Sequence, residues 1–341
     1  MQLAESSREP WEIQVFRGKN IESTHNVSVS IVDENSQSVF FSGDVDQPIY
    51  PRSAIKFLQA IPFVESGAYE AFNLKPQQLA LSCASHHAES FHLEMLKDWL
   101  SKADLKIENL VCGPQIPVNK LTAEKLLKQG EAPTRLMNNC SGKHLGMLTT
   151  ALHKKEPTAG YHSLAHPVQM RVMQVLREMT DFDIQKDQWG IDGCCIPNFV
   201  APLKAWATAM ATLLNPQNRG MPETRKKACE KIIQAVTEYP EFVSGTESFD
   251  YKLQRITGKK VILKSGAEGV CCGLIAEKGF AFALKVLDGN QRAVPAAVLE
   301  ILKNHAELPA DMQSKLESEL NTSVKNTCDE VVGQIQIRKY H

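Results

Sequence analysis

The chain has almost no net charge, no long apolar run, no C-x-x-C pair and no internal repeat, and each absence narrows the range of functions. Lys and Arg number 38 against 39 Asp and Glu, a net charge of −1. That balance gives no electrostatic reason to expect nucleic acid or an anionic membrane as partner. No window approaches the roughly 18 consecutive apolar residues of a spanning helix. Met1 to Trp11 carries Glu5 and Glu9 and no apolar core of a secretory signal, so a cytoplasmic protein is expected. The lack of C-x-x-C weakens the case for a zinc site read from spacing. Nine cysteines, an odd number, stand in a chain of 341 residues that is 43% hydrophobic. Such a chain buries a core without disulfide staples, so free thiols are expected. What remains is an ordinary globular protein, one large domain or two joined ones, acting on something small.

Short alternating or β-branched runs gather at the two ends: Glu12–Arg17, Val27–Asp33 and Ser38–Phe41, then Lys260–Lys264, Val270–Ala276, Phe280–Val286 and Gln334–Arg338. The polar connections 34–37 and 277–279 suit hairpins and so antiparallel pairing. Between the ends the apolar spacing is helical, in Ala54–Val64, Phe91–Leu100, Lys143–His153, Pro167–Met179, Val200–Leu214 and Glu223–Val236. Asn215–Pro222 is the clearest linker, and Ala293–Asn304 and Ala310–Leu320 read as C-terminal helices packed on the sheet. The expectation is an α+β fold forming one catalytic unit over 1–341. An antiparallel sheet subdomain comes from 1–60 and 225–341, and a mostly helical subdomain, 61–224, is inserted between. The crevice between the parts is the default site.

Five segments carry candidate chemistry. Pro51-Arg-Ser-Ala-Ile-Lys56 is an S-x-x-K before an apolar helical run; residues three apart share a helix face, so the Lys56 amine reaches toward the Ser53 hydroxyl. The plain alternative is an N-cap serine and a solvated lysine. Lys260–Gly266 ends a strand with Lys264-Ser-Gly, the place of Lys-Thr-Gly in serine-lysine acyl-transfer enzymes. Ser85 follows a short apolar run, as a second active serine or as an N-cap for the helix near Phe91. Asn138 to His144 and Trp189 to Pro197 are small, polar loops holding Cys140, Lys143, Asp192 and Cys194. Gly142-Lys143 is not a phosphate loop, because Met137 replaces its first glycine and His144 its Ser or Thr. Two thiols alone are a weak case for zinc, and His86, His87, Glu89 and His92 match no metalloprotease helix.

Taken in order, Arg52-Ser-Ala-Ile-Lys56, Cys83-Ala-Ser-His86, Asn139-Cys-Ser-Gly-Lys-His144, Trp189-Gly-Ile-Asp-Gly-Cys194 and Lys264-Ser-Gly-Ala267 resemble the rhizobial-type (class 3) L-asparaginases, the asparaginase II family. The resemblance implies a β-lactamase/glutaminase-like fold and hydrolysis of the side-chain amide of L-asparagine. It also implies two Ser-Lys tandems in one site, Ser53 with Lys56 and Ser85 with Lys264. Ser53 would attack after losing its proton to Lys56, and Lys56 or the second tandem would return a proton to the leaving ammonia, with the exchanged roles, Ser85 as nucleophile and Ser53 as relay, equally open. By the same resemblance a zinc ion sits on Cys140, Lys143 and Cys194, with Asp192 close by, and the enzyme is a homodimer. Arg52, Asp192 and His144 are candidates for the α-carboxylate and α-amine of the substrate, on charge complementarity and motif position. The rivals are a glutaminase or penicillin-recognising enzyme of the serine-lysine group, and a non-catalytic zinc protein.

Overall fold

The computed structural model describes residues 6–320 and 322–338; Met1–Glu5 of the N-terminal stretch considered above fall outside them. The chain divides into two compact units. One comprises the residues up to Ala54, Ala201–Asn215 and Lys252 onward, and the other comprises Ile55–Val200 and Pro216–Tyr251.

The first unit is built on eight strands: β1 Trp11–Arg17, β2 Asn20–Val32, β3 Ser38–Ser42, β4 Val261–Gly266, β5 Val270–Ile275, β6 Phe280–Val286, β7 Ser323–Lys325 and β8 Val331–Ile337. Every pair is antiparallel, in the order β7-β8-β1-β2-β6-β5-β4. The 13-residue β2 organises the sheet. Its first part pairs with β1, and its last residues pair with β3 and with β6, Ile31 opposing Phe40 and Phe282. Strand β4 is left on the edge. The expected strands all fall within this sheet, and the two polar connections are hairpins, the second closed by Gly279 at φ +65°. Only β7 lacked an advance signal, since three residues are too few for a period.

Strands β4, β5 and β6 are buried almost throughout, so the sheet is covered on both faces. Part of that cover is the Leu203–Leu214 helix, whose sequence LKAWATAMATLL is apolar nearly all round and which packs on β2, β5 and β6. This helix corrects the expected boundaries. A helix without a polar face has no place on a solvent-facing bundle, so 201–215 return to the sheet unit while Glu223–Glu238 belongs to the helical one. Pro48–Ile49 pairs with Ala201–Pro202 at the point of return. Val294–His305 packs on β8 as expected, while Ala310–Glu319 packs on that helix.

The helical unit holds Ser90–Lys102, Ser141–His153, Pro167–Thr180 and Glu223–Glu238 as its long helices. The continuous helix expected over Ala54–Val64 is instead a 3-10 turn at Arg52–Ile55 followed by Lys56–Gln59 and Ile61–Glu65. Pro62 lies in the first turn of the last piece, where its missing N–H costs nothing, so the break falls just before it. Among the described residues no helix is long and apolar enough to cross a membrane. All nine cysteines are free thiols, seven of them buried.

Candidate active site

In the helical unit the candidate residues converge on one buried amine. Lys56 is 1% exposed, and its Nζ donates to Ala84 O, to Ser85 Oγ at 3.0 Å and to Cys140 Sγ at 3.1 Å. Ser85 reaches that amine because its loop is tied on both sides. Its N–H donates to Val243 O at 2.9 Å, and the next N–H, of His86, donates to Asn139 O at 3.1 Å. The start of the Ser141–His153 helix lies directly against the end of the Pro76–Ser82 helix. A β-carbon on Gly142 would stand 2.1 Å from Leu81 O, so only glycine permits the approach. Ser85 is therefore no helix cap: the next helix starts at Ser90 with Glu89 before it. The Tyr239–Gly245 stretch supplies Val243 O, and just beyond it Thr246 donates through N and Oγ1 to the Glu89 carboxylate.

The sulfur groups lie on the far side of Cys140. A hairpin of Trp189–Ile191 with Pro197–Phe199 presents the turn 192–196, closed by Asp192 N–H to Ile196 O, with Cys195 in the left-handed region at φ +71°. Lys143 Nζ donates to Cys194 Sγ at 3.1 Å, and Asp192 Oδ2 lies 3.5 Å from the same sulfur. A hydrogen bond from the Cys140 thiol, joined by the Lys143 charge and opposed by burial, pushes Cys194 down to about 5. Giving that bond, together with burial, pushes Cys140 up to about 12. Burial works against the Lys143 charge, but Cys194, Cys140 and Asp192 outweigh it and hold the ammonium above its usual range. Cys194 is thus the more acidic of the two thiols, and Lys143 is the cation beside it. Two sulfurs in contact with an amine beside them are the soft donor types zinc takes, provided Lys143 gives up its proton on binding. Among the described residues no three His, Cys, Asp or Glu side chains meet around a common point, so the lysine is indispensable to such a set.

His144 does not suit the role expected of it. It is fully buried. Val111 N–H donates to Tyr161 Oη at 3.0 Å, and that hydroxyl bonds His144 Nδ1 at 2.6 Å. Burial, then the Lys143 charge, push its pKa down to about 3, so the ring is neutral and offers no cation to a carboxylate.

The sheet unit holds the other candidates. Ser53 is half-buried on the Arg52–Ile55 turn, and neither its N–H nor its Oγ has a hydrogen-bond partner among the described residues. A β-carbon on Gly266 would lie 2.8 Å from Ala54 N, 2.9 Å from Pro51 O and 3.1 Å from Ser53 N, so the end of β4 is pressed against that turn. Alternate residues of a strand share a face. Lys264 therefore leaves β4 on the side that Gly266 turns toward Ser53; it is 1% exposed, and its Nζ also donates to Ser265 O at 3.0 Å. Arg52 sits at φ +53° with its guanidinium 3.8 Å from Glu268.

Residues 13–337 match the family model described as L-asparaginase II. No curated protein sequence matches the chain. Among solved structures, the chain is similar to a crystal structure of Mglu at 12% identity and a TM-score of 0.43, covering 83% of this chain and 62% of that one. It is also similar to a β-lactamase from Mycobacterium bovis (9% identity, TM-score 0.37, 86% and 94% covered). A Bacillus glutaminase is a third (10% identity, TM-score 0.37, 78% and 84% covered). The family match runs from β1 to β8 and takes in every candidate residue named above, and on that match the chain belongs to the L-asparaginase II family of amidohydrolases.

Proposed function

We propose that the protein is an L-asparaginase that hydrolyses the side-chain amide of L-asparagine through a lysine-activated serine. The observation that carries the mechanism is the 3.0 Å contact between the buried Lys56 amine and Ser85 Oγ. A neutral Lys56 takes the hydroxyl proton, the serine oxygen adds to the amide carbonyl, and the ammonium of Lys56 returns the proton to the departing ammonia. Water then cleaves the ester with Lys56 again as base. On this reading Ser85 is the nucleophile, and Ser53 with Lys264 is a second hydroxyl and amine that relays protons. The family pattern had paired Ser53 with Lys56 and Ser85 with Lys264; the bond from Lys56 to Ser85 favours the exchange of roles. Arg52 and Asp192 have the charges to hold the α-carboxylate and α-amine.

Cys140, Lys143 and Cys194 would hold a zinc ion, which when bound lowers the pKa of a water or amine and polarises a carbonyl. Without it, these residues still place Cys140 against Lys56 and so fix the amine toward Ser85. A cytoplasmic homodimer remains the expectation for the assembled enzyme.

The test is ammonia release from L-asparagine and, separately, L-glutamine by the wild type, Ser85→Ala, Ser53→Ala and Lys56→Met, with the trapped acyl-enzyme mapped by peptide. Lys56→Met and Ser85→Ala are each expected to lose about 10³-fold or more in kcat. Near wild-type turnover by Ser85→Ala would overturn the assignment, and an acyl group on Ser53 would return that serine to the nucleophile's role.

A further inference from the structure

His86 joins the serine loop to the thiol loop through both of its ring nitrogens. Ala88 N–H donates to His86 Nδ1 at 3.1 Å, which makes Nδ1 the acceptor and leaves the ring proton on Nε2. Nε2 lies 2.8 Å from Ser141 Oγ, whose own proton goes to Leu136 O at 2.9 Å. The direction of every bond in this chain is therefore set: Nε2–H donates to Ser141, and Ser141 to the backbone. His86 is completely buried, and burial above all holds its ring neutral, as this donor-acceptor arrangement requires.

Ser85 and His86 are adjacent, and so are Cys140 and Ser141. The ring bond from His86 to Ser141 thus runs beside the route by which Lys56 touches both Ser85 Oγ and Cys140 Sγ. The backbone bond from His86 N–H to Asn139 O is a third tie between the same segments. Ala88, whose N–H makes the bond to Nδ1, is held at φ +58°, a conformation alanine seldom adopts unaided. We infer that His86 is a positioning residue: through Ser141 it holds the Ser85 loop at the separation from Cys140 that lets one lysine serve both. This inference rests on the role proposed for Lys56 and Ser85.

A glutamine at 86 retains a donor near the position of Nε2 and loses the Nδ1 acceptor, whereas asparagine retains only a group near Nδ1. His86→Asn and Ser141→Ala are expected to lower kcat for L-asparagine by about 10²-fold, the order of loss that a displacement of about 1 Å brings, with KM within about twofold. His86→Gln recovers most of that loss. The double variant falls no further than either single one, since both remove the same bond. Site-resolved iodoacetamide labelling of Cys140, scaled to the exposed Cys328, provides a readout independent of substrate. Labelling of Cys140 rises about tenfold in His86→Asn and in Ser141→Ala, and stays near the wild-type rate in His86→Gln. Absence of ammonia release from the wild type defeats the asparaginase reading alone, because the labelling still decides the role of His86. Unchanged Cys140 labelling in both Ser141→Ala and His86→Asn overturns the inference, as does a kcat for Ser141→Ala equal to wild type.

Discussion

Gly266→Ala separates the position of Ser53 from the stability of the fold. The new methyl would stand 2.8 Å from Ala54 N, 2.9 Å from Pro51 O and 3.1 Å from Ser53 N. All three are backbone atoms, so no side chain can swing aside, and ordinary contact begins at 3.4 Å. The turn must retreat by about 0.6 Å, or β4 must do so, an overpacking of the kind that costs about 1 to 3 kcal/mol. Strand β4 is an edge strand bonded only to β5 along the sheet, which leaves it room to yield without loss of the core. A shift of that size beside a reacting group lowers kcat/KM by about tenfold or more, since a displacement of about 1 Å costs about 10²-fold. The assay is coupled ammonia release with a thermal midpoint on the same sample. Gly113→Ala is the control, because a methyl there meets nothing within 4 Å. A folded Gly266→Ala with wild-type kcat/KM would show that the Ser53 turn plays no part in the chemistry.

Gly142→Ala forces a methyl to 2.1 Å from Leu81 O between two helix ends, and a loss of about 3 kcal/mol in urea unfolding is expected; a loss below about 1 kcal/mol would mean that the approach is not needed. His92 is buried with Nδ1 accepting from Glu89 N–H and Nε2 donating to Glu241 O, and burial pushes it down to about 4, opposed in part by the Glu241 carbonyl and by Glu89. Its folded-state value lies below the unfolded value of about 6.5, so the unfolded chain takes the proton first. The stability owed to the neutral ring is complete well above pH 6.5 and is lost as the pH falls toward 4, the loss reaching roughly 2 to 3 kcal/mol by pH 4.5. His92→Gln should therefore lose less stability than wild type between pH 7 and pH 4.5, and equal slopes in the two proteins would refute the assignment.

The sheet was legible because its strands announce themselves locally. Val27, Val29 and Ile31 alternate with Ser28 and Ser30 in β2, and Val270–Ile275 is a continuous apolar run suited to a strand covered on both faces. The helix period was equally plain. What the period does not carry is which layer a helix joins. Leu203–Leu214 and Glu223–Glu238 are neighbours in sequence, yet the first packs on the sheet and the second does not; only the absence of a polar face on the first hinted at the difference. The break before Pro62 was visible as a proline but was outweighed by the apolar spacing around it.

At the site, the residue types were legible and their partners were not. Lys56 was expected to serve Ser53, three residues away, because helical spacing is the one neighbour relation a sequence displays; its recorded bond to Ser85 spans 29 positions and depends on loops tied at Val243 and Asn139. Glycine is the residue that ordinarily signals a left-handed turn. Here Arg52, Ala88, Cys195 and Glu268 take that conformation, each within four residues of Ser53, Ser85, Cys194 or Lys264. A side chain in that region is disfavoured locally and persists only where surrounding contacts over-determine it. The contacts that hold Ala88 include the bond to His86, and those that hold Cys195 include its N–H to Asp192 O at 2.8 Å. Such turns leave no mark in composition or period, because their cause lies in tertiary bonds. Their clustering beside the candidate residues argues that, within each unit, substitutions in the bonds that hold these turns should reach the chemistry before they reach the fold.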